Sequence, residues 1–181
     1  VKLRETSKND IKHPIETILN NRGIKDWKHY INLTKADLCS PYLLKNIETA
    51  AQLLVKHIEN NSTITILVDC DVDGFTSAAI LFNYIYDLGF HGKMHTLFHT
   101  GKQHGLTDTE INIPDDTKLL MIPDAGSNDV QQCRKLREKY TDIIILDHHV
   151  MDVENPFAVV VNNQDGSYPN KELSGAGVVY K

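Results

Sequence analysis

Short apolar runs separated by segments of helical periodicity constrain the fold of this chain more than any other feature. TITILVD (63–69), KLLMIPD (118–124) and TDIIILDHH (141–149) contain almost no polar alternation. Strands of this kind are buried on both faces, as in a parallel sheet covered by helices. HGKMHTLFHT (91–100) and AVVVNN (158–163) complete a set of five predicted strands.

Amphipathic segments lie between these strands. Apolar residues at helical spacing predict helices over residues 41–60, 74–88 and 128–140, and another helix from residue 174 onward. Short connections and right-handed crossovers then give an α/β fold, with a doubly wound, mainly parallel five-stranded sheet and helices on both faces. Residues 1–40 are predicted to be a short N-terminal helical or irregular segment, with a helix from Pro14, and residues 41–181 one α/β domain.

Composition and charge set broad limits on what the chain does. The 181 residues suit one domain with a real core, and no apolar stretch approaches the roughly 20 residues that cross a bilayer. Three widely spaced cysteines favour a reducing, cytoplasmic location, and the lack of a long apolar stretch predicts no membrane contact. The net charge of −5 leaves nucleic acid open as a partner, because carboxylates that hold metal ions count as negative here.

Three of the predicted strands end in residues that bind divalent metals. The first is followed by Asp69, Asp71 and Asp73, the second ends at Asp124, and the third ends at Asp147, His148 and His149. Three aspartates on alternate positions repel one another unless a cation lies among them. Since the carboxyl ends of parallel strands meet at one edge of the sheet, these side chains are expected to share a metal site there.

The mixture of ligands narrows the choice of metal. Several carboxylates with imidazole favour Mn²⁺ over an all-oxygen Mg²⁺ or Ca²⁺ site, with Mg²⁺ as the alternative. Cys70 lies between two aspartates and is expected to point away from the site if the backbone stays extended. Two ions joined by a bridging carboxylate suit phosphoester hydrolysis, since they activate water and stabilise charge on the phosphoryl oxygens.

The motifs DCDVDG, PDAGSND and LDHH resemble the first three motifs of the DHH phosphoesterases. Within that superfamily the chain is most similar to the RecJ-type single-strand exonucleases. Their first motif usually reads DYDVDG followed by Thr-Ser, so that DCDVDGFTS differs at Cys70. The resemblance extends upstream through ILNNRGI and SPYLLKNIETAA and downstream through YPNKELSGAGVVYK.

The resemblance also implies roles for individual residues. The implied metal ligands are Asp69, Asp71, Asp124 and His148, and Asp124 is the one that bridges two ions. The implied catalytic residues are His149 and Asp147. By the same resemblance, His149 contacts the scissile phosphate, and Asp147 supports the cluster. Asp73 is either a further metal ligand or the cap of the helix that begins near Phe75.

Two further segments have open interpretations. The loop Lys102, Gln103, His104 and Gly105 either contacts substrate, as a Gly-Tyr-Gly-type loop does in the resembled family, or is a solvated loop. Ser174, Gly175 and Gly177 either offer backbone N–H groups to a phosphate or allow close packing.

The resemblance implies a metal-dependent hydrolase that degrades single-stranded DNA from the 5′ end in DNA repair or recombination, with repair or replication proteins as partners. The family's fourth-motif aspartate and its second, substrate-gripping domain have no counterpart before Lys181, so the catalytic domain is expected to be incomplete and weakly active or inactive by itself. The alternatives are a phosphodiesterase on short oligonucleotides or cyclic dinucleotides, and a noncatalytic DHH-fold scaffold for replication or repair partners.

Overall fold

The structure, a computed structural model, describes residues 10–107, 111–139 and 142–181. The chain divides into two units, Val1–Cys39 and Ser40–Lys181, and each is described by itself. In the first unit, helix α1 spans Pro14–Asn21 and helix α2 spans Trp27–Tyr30. The helix predicted from Pro14 is therefore confirmed, whereas the first nine residues of the predicted N-terminal segment lie outside the described ranges.

Five parallel strands form the sheet of the second unit. They are β1 (Ile64–Val68), β2 (Met94–Phe98), β3 (Leu119–Pro123), β4 (Asp142–Asp147) and β5 (Val159–Asn162). Their order in the sheet is β2-β1-β3-β4-β5, and every neighbouring pair is parallel. The predicted doubly wound five-stranded sheet is confirmed. Residue 140, the predicted end of the helix over 128–140, and residue 141, the predicted start of the next strand, lie outside the described residues.

Helices cover both faces of this sheet, as the continuous apolar strands predict. They are α3 (Ile47–Glu59), α4 (Val72–Asp87), α5 (Val130–Arg137) and α6 (Gly175–Tyr180). Because successive side chains of a strand point to opposite faces, alternate residues such as Leu67 and Ile145 pack with Cys133 of α5. Met121 and Ile144 instead border a cavity of about 470 Å³ that α3, α4 and α6 also line.

The long helix predicted over residues 41–60 is shorter in the structure. Pro41–Leu43 form a separate 3-10 turn, and α3 begins only at Ile47. The reason is Asn46, whose φ of 65° lies in the left-handed region that cannot continue a right-handed helix. Of the apolar residues at this spacing, Leu44 and Ala50 are buried, whereas Leu43 and Val55 are exposed.

At the start of α5, neither Ser127 nor Asn128 caps the helix. Asp129 occupies the N-cap position and makes no side-chain capping bond. The Asn128 side chain instead joins two backbone groups beyond β4, donating to Val150 O at 2.9 Å and accepting from Asp152 N at 2.8 Å.

The strand order changes direction between β1 and β3. The chain runs from β1 through α4 to the outer strand β2, and then returns to β3 on the other side of β1. Open α/β sheets bind ligands outside the carboxyl ends of the strands at such a switch point. Asp69 and Asp124 directly follow the two strands that border it. No helix within the described ranges has the length and apolar character needed to cross a membrane.

Candidate metal centre

Asp124 lies in the crevice with its carboxylate buried and without a hydrogen-bond partner. The residue is only 1% exposed, and neither carboxylate oxygen accepts a hydrogen bond from the residues that the structure describes. Its φ of 73° is left-handed, a conformation that aspartate adopts more readily than most residues. The backbone N–H still donates to Leu146 O at 2.8 Å, so the chain turns here without losing its pairing with β4.

The surroundings of Asp124 are strongly unfavourable for a bare carboxylate. Burial, followed by the negative charges of Asp73, Asp71, Asp69 and Asp147, raises the pKa of Asp124 to about 8. A buried charge is tolerated only when it is paired or coordinates a metal. The pattern of burial and negative charge therefore fits a site for a divalent cation.

Asp69, Asp71 and Asp124, which we call the acid cluster, each bring a carboxylate oxygen to within 4.8 Å of the other two. Asp71 also caps α4, because its Oδ1 accepts from Gly74 N at 2.9 Å. Gly74 allows the helix to start against the end of β1, since a Cβ there would lie 2.6 Å from the Asp69 Cβ. The glycine of DCDVDG thus serves a close approach between two elements.

The two histidines after β4 complete the site. His148 Nε2 lies 3.3 Å from Asp124 Oδ1 and 3.6 Å from Asp73 Oδ2. Asp124, His148 and His149 form a second group whose ligand atoms lie within 4.8 Å of one another. The structure thus brings the four predicted metal ligands to one crevice, and their roles as ligands stay predictions.

Asp147 holds this histidine pair in place. Its Oδ1 accepts from His148 N at 2.7 Å and lies 2.8 Å from His149 Nδ1, while Oδ2 accepts from Ser127 N at 3.1 Å. Burial by itself would raise the pKa of Asp147, but hydrogen bonds from Ser127 and His149 outweigh it and keep the pKa below the ordinary value. Asp147 is therefore a buried anion that accepts hydrogen bonds from its neighbours, and its role in supporting the cluster stays a prediction.

Asp73 does not cap α4, contrary to one of the two interpretations from the sequence, because Asp71 occupies that position. Its two oxygens instead accept from Gly175 N at 2.7 Å and from Ala176 N at 3.0 Å, at the start of α6. Burial opposes the charge, but these hydrogen bonds prevail and lower the pKa of Asp73.

The backbone N–H groups at the start of α6 are already engaged by the protein. Gly175 N donates to Asp73, and Gly177 N donates to Ser174 Oγ at 3.2 Å. The interpretation of these residues as phosphate donors is therefore wrong for Gly175 and Gly177. Close packing, the other interpretation, is confirmed at Gly175, where an added Cβ would lie 2.7 Å from the Asp124 Cγ.

The loop after β2 reaches the acid cluster through two of its predicted residues. His104 Nδ1 lies 2.6 Å from Asp69 Oδ2, and Gly105 N donates to Asp69 Oδ1 at 3.3 Å. Lys102 is exposed and makes no hydrogen bond or ion pair with the described part of the chain. Contact between this loop and a substrate stays a prediction.

Cys70 differs from its expected orientation. Its Sγ lies 3.8 Å from both ring nitrogens of His104, which contacts Asp69. The thiol therefore lies next to the site rather than away from it. The reason is that β1 ends at Val68, so the alternation of an extended strand does not continue to residue 70.

Two polar residues of the site were not predicted from the sequence. Buried Asn162, the last residue of β5, donates from Nδ2 to Ser127 Oγ and to His149 O, both at 2.9 Å. Asp129 accepts from Leu106 N at 2.6 Å and borders a cavity of about 360 Å³ that His149 also lines. Asn162 had a usable signal, because its strand also ends in polar residues.

Comparison with known proteins identifies the family. Residues 63–181 match the family model described as the DHH family, N-terminal domain. The chain belongs to the DHH family. YorK of Bacillus subtilis strain 168, provisionally named an SPbeta prophage-derived single-strand DNA-specific exonuclease, is 42% identical over 170 residues, which cover 93% of this chain and 29% of YorK.

Two further comparisons point to RecJ proteins. The single-stranded-DNA-specific exonuclease RecJ of Haemophilus influenzae is 29% identical over 175 residues, covering 93% of this chain and 30% of RecJ. A crystal structure of exonuclease RecJ bound to manganese matches this DHH domain with a TM-score of 0.69 and 25% identity, over 79% of this chain and 37% of that one. The RecJ-like resemblance is confirmed, and the DHH chain spans about 30% of the length of these curated relatives.

Proposed function

We propose that this DHH-family protein is a metal-dependent phosphoesterase that hydrolyses the phosphodiester bonds of single-stranded DNA as an exonuclease. The observation that carries the proposal is the buried carboxylate of Asp124, which accepts no hydrogen bond from the described residues and has Asp69, Asp71 and His148 around it. The names of the similar proteins, which are single-strand-specific exonucleases, support the choice of substrate.

Asp69, Asp71, Asp124 and His148 would hold the metal, with Asp124 as the bridging ligand if two ions bind. Carboxylates with one imidazole suit Mn²⁺, and Mg²⁺ is the alternative. The similar RecJ crystal structure contains manganese, which supports the same choice here. When bound, divalent ions lower the pKa of a water molecule and stabilise negative charge on phosphoryl oxygens.

His149 is the side chain best placed to move a proton. Its Nδ1 lies 2.8 Å from Asp147 Oδ1, and because Asp147 is an anion, Nδ1 is the donor in this contact. Nε2 is then the ring nitrogen that can take up a proton from solvent, and the protonated ring would donate a hydrogen bond from Nε2 to a phosphate oxygen. Asn162 Nδ2 donates to the backbone carbonyl oxygen of His149, and this hydrogen bond limits movement of the His149 backbone and ring.

The charge of the crevice explains why the reaction would depend on a metal. The cavity of about 360 Å³ beside His149 is bordered by Asp129 and Asp147, and also by His104 and Gly105, which contact Asp69 of the acid cluster. A phosphodiester carries negative charge and is repelled by these carboxylates unless cations neutralise them. We therefore expect substrate to bind only after the cation, so that chelation removes both binding and hydrolysis.

The test is cleavage of a 5′-labelled single-stranded oligonucleotide with Mn²⁺ by wild-type protein and by Asp124→Asn. The rate of the variant should fall by at least about 100-fold. Replacing a residue that only supports a metal ligand typically lowers metal affinity or activity by about 10–100-fold, and loss of a ligand itself should cost more. Asp87→Asn is the matched control, since Asp87 is an exposed acid at the opposite end of α4. Full activity in Asp124→Asn would refute the mechanism.

Substrates and partners are tested alongside. Faster cleavage of duplex DNA or RNA than of single-stranded DNA would contradict the proposed substrate, and cleavage of dinucleotides alone would favour the oligonucleotide or cyclic-dinucleotide alternative. Absence of Mn²⁺ binding in calorimetry would favour the scaffold. A cytoplasmic location, a role in DNA repair or recombination, and repair or replication proteins as partners stay predictions.

A further inference from the structure

Cys70 and His104, two residues outside the proposed acid–imidazole ligand set, come together with Asp69 of that set near the start of α4. Asp69, Cys70 and His104 each offer a ligand atom within 4.8 Å of the other two. Asp69 is 2% exposed, Cys70 is half-buried and the His104 side chain is 59% exposed. The group therefore opens to solvent on one side and is anchored on the other.

We propose that Asp69, Cys70 and His104 form a separate cation site for a thiophilic divalent ion such as Zn²⁺ or Cd²⁺. Thiolate and imidazole are the ligands that select zinc-like ions, whereas carboxylates and water suit Mg²⁺ and Mn²⁺. Three protein ligands with a fourth position open to water is the arrangement of zinc sites that are not purely structural. Cys70 stands where the RecJ-type motif usually has tyrosine, so the site is specific to chains with this cysteine.

The distances suit such an ion. A tetrahedral zinc with bonds of about 2.3 Å to sulfur and about 2.0–2.1 Å to nitrogen separates the two ligand atoms by roughly 3.6 Å. Cys70 Sγ lies 3.8 Å from each ring nitrogen of His104. The thiol and the imidazole are therefore neighbours, and the exposed ring must turn to direct one nitrogen at an ion bound to the sulfur.

The ion would replace the contact between His104 and Asp69. Nδ1 of His104 now lies 2.6 Å from Asp69 Oδ2, which is too close for a cation between them. The exposed imidazole can withdraw at little cost, while Asp69 is held by Gly105 N. On binding, the Cys70 thiol releases its proton to solvent, and the thiolate and the Asp69 carboxylate together balance the charge of the divalent ion.

Sharing of Asp69 connects this site with the acid cluster. A carboxylate drawn toward Cys70 and His104 is less available to Mn²⁺ beside Asp71 and Asp124. A thiophilic ion should therefore inhibit Mn²⁺-dependent hydrolysis, and this consequence alone rests on the proposed function. Binding of the ion itself does not depend on whether the protein is an exonuclease.

The test is titration of the metal-free protein with Cd²⁺, followed by the ultraviolet charge-transfer absorption of a cadmium–thiolate bond. The wild-type protein and Cys39→Ser, the matched cysteine control, should both show the band. Cys70→Ser and Cys70→Ala should lose the band. His104→Gln should weaken Cd²⁺ binding by at least about tenfold, because loss of a residue that only hydrogen-bonds to a metal ligand already costs about 10–100-fold. Asp124→Asn should keep the band.

The outcomes separate this proposal from the proposed function. A band that persists without the Cys70 thiol, or Cd²⁺ binding that is equally tight in His104→Gln, overturns the three-ligand site. Absence of the band in the wild-type protein does the same. If the band behaves as expected but the wild-type protein with Mn²⁺ does not cleave DNA, the exonuclease proposal fails and the cation site stands.

Discussion

Gly175 lies directly against the carboxylate of Asp124, and there is no room between them for a side chain. A Cβ at residue 175 would come within 2.7 Å of the Asp124 Cγ and 2.8 Å of its Cβ. Because Asp124 is buried and has a left-handed backbone conformation, it cannot move aside easily. The start of α6 thus forms one wall of the candidate metal centre, through a residue that carries no ligand atom.

Gly175→Ala should therefore disturb the metal site without removing any ligand. We expect Mn²⁺ affinity to fall by at least about tenfold, comparable to the loss of a supporting residue around a metal. Gly177→Ala is the control, because its Cβ would meet only the flexible Leu173 side chain at 3.2 Å and alanine favours a helix. Calorimetric titration with Mn²⁺ measures both variants, and equal affinities would contradict the steric role of Gly175.

Replacement of Asp73 should separate a role in capping α6 from a role in metal binding. Asp73→Ala removes the acceptors of Gly175 N and Ala176 N and should lower the free energy of unfolding by about 1–2 kcal/mol. Asp73→Asn keeps one acceptor oxygen and should recover part of that loss. Denaturant unfolding measures the stability of the two Asp73 variants. Titration with Mn²⁺ compares the metal affinity of Asp73→Asn with that of Asp69→Asn, which lacks a predicted ligand. If Asp73→Asn loses as much Mn²⁺ affinity as Asp69→Asn, Asp73 is a ligand and not only a cap.

The sheet was predictable because its signal is local. β1, β3 and β4 each contain a nearly continuous apolar run, ITILV, LLMIP and DIIILD, and burial on both faces favours such runs. The break at Asn46 was missed because apolar residues keep a three- or four-residue spacing across the 3-10 turn and into α3. Periodicity does not distinguish one long helix from a turn followed by a shorter helix.

The details of the site depend on contacts between distant parts of the chain. Asp73 bonds to backbone groups more than 100 residues later, so no local pattern identifies α6 as the helix that it caps. Cys70 was placed by strand alternation, which ends at Val68, and its actual neighbour His104 lies in another loop. The sequence predicted which residue types gather at the sheet edge, but not which of them hold one another.

Asp147→Asn should reduce both stability and turnover. The carboxylate accepts N–H groups on both oxygens, from Ser127 on one and from His148 and His149 on the other, so an amide must direct its NH₂ group at a donor. An unsatisfied buried polar group costs about 1–3 kcal/mol of unfolding free energy. Loss of the partner that orients His149 should lower kcat by at least about 100-fold if His149 transfers a proton. Exposed Asp152→Asn is the control, and an unchanged kcat in Asp147→Asn would remove Asp147 from the mechanism.

The stability of the metal-free protein should fall as pH rises toward the raised pKa of Asp124. Its pKa is 3.8 in ordinary surroundings and about 8 in the folded protein, so the folded state keeps a proton that the unfolded chain has lost. The stabilisation is complete below the lower pKa and is lost as pH rises through the upper pKa. The loss is several kcal/mol at most, at about 1.4 kcal/mol per pKa unit.

Thermal unfolding in EDTA measures the stability of the metal-free protein as a function of pH. Asp124→Asn does not titrate, so its unfolding temperature should fall less steeply over the same range and exceed that of the wild type at the alkaline end. Mn²⁺ should stabilise the wild type most at high pH, where the carboxylate is ionised, and parallel pH curves for the two proteins would show that Asp124 is not the group responsible.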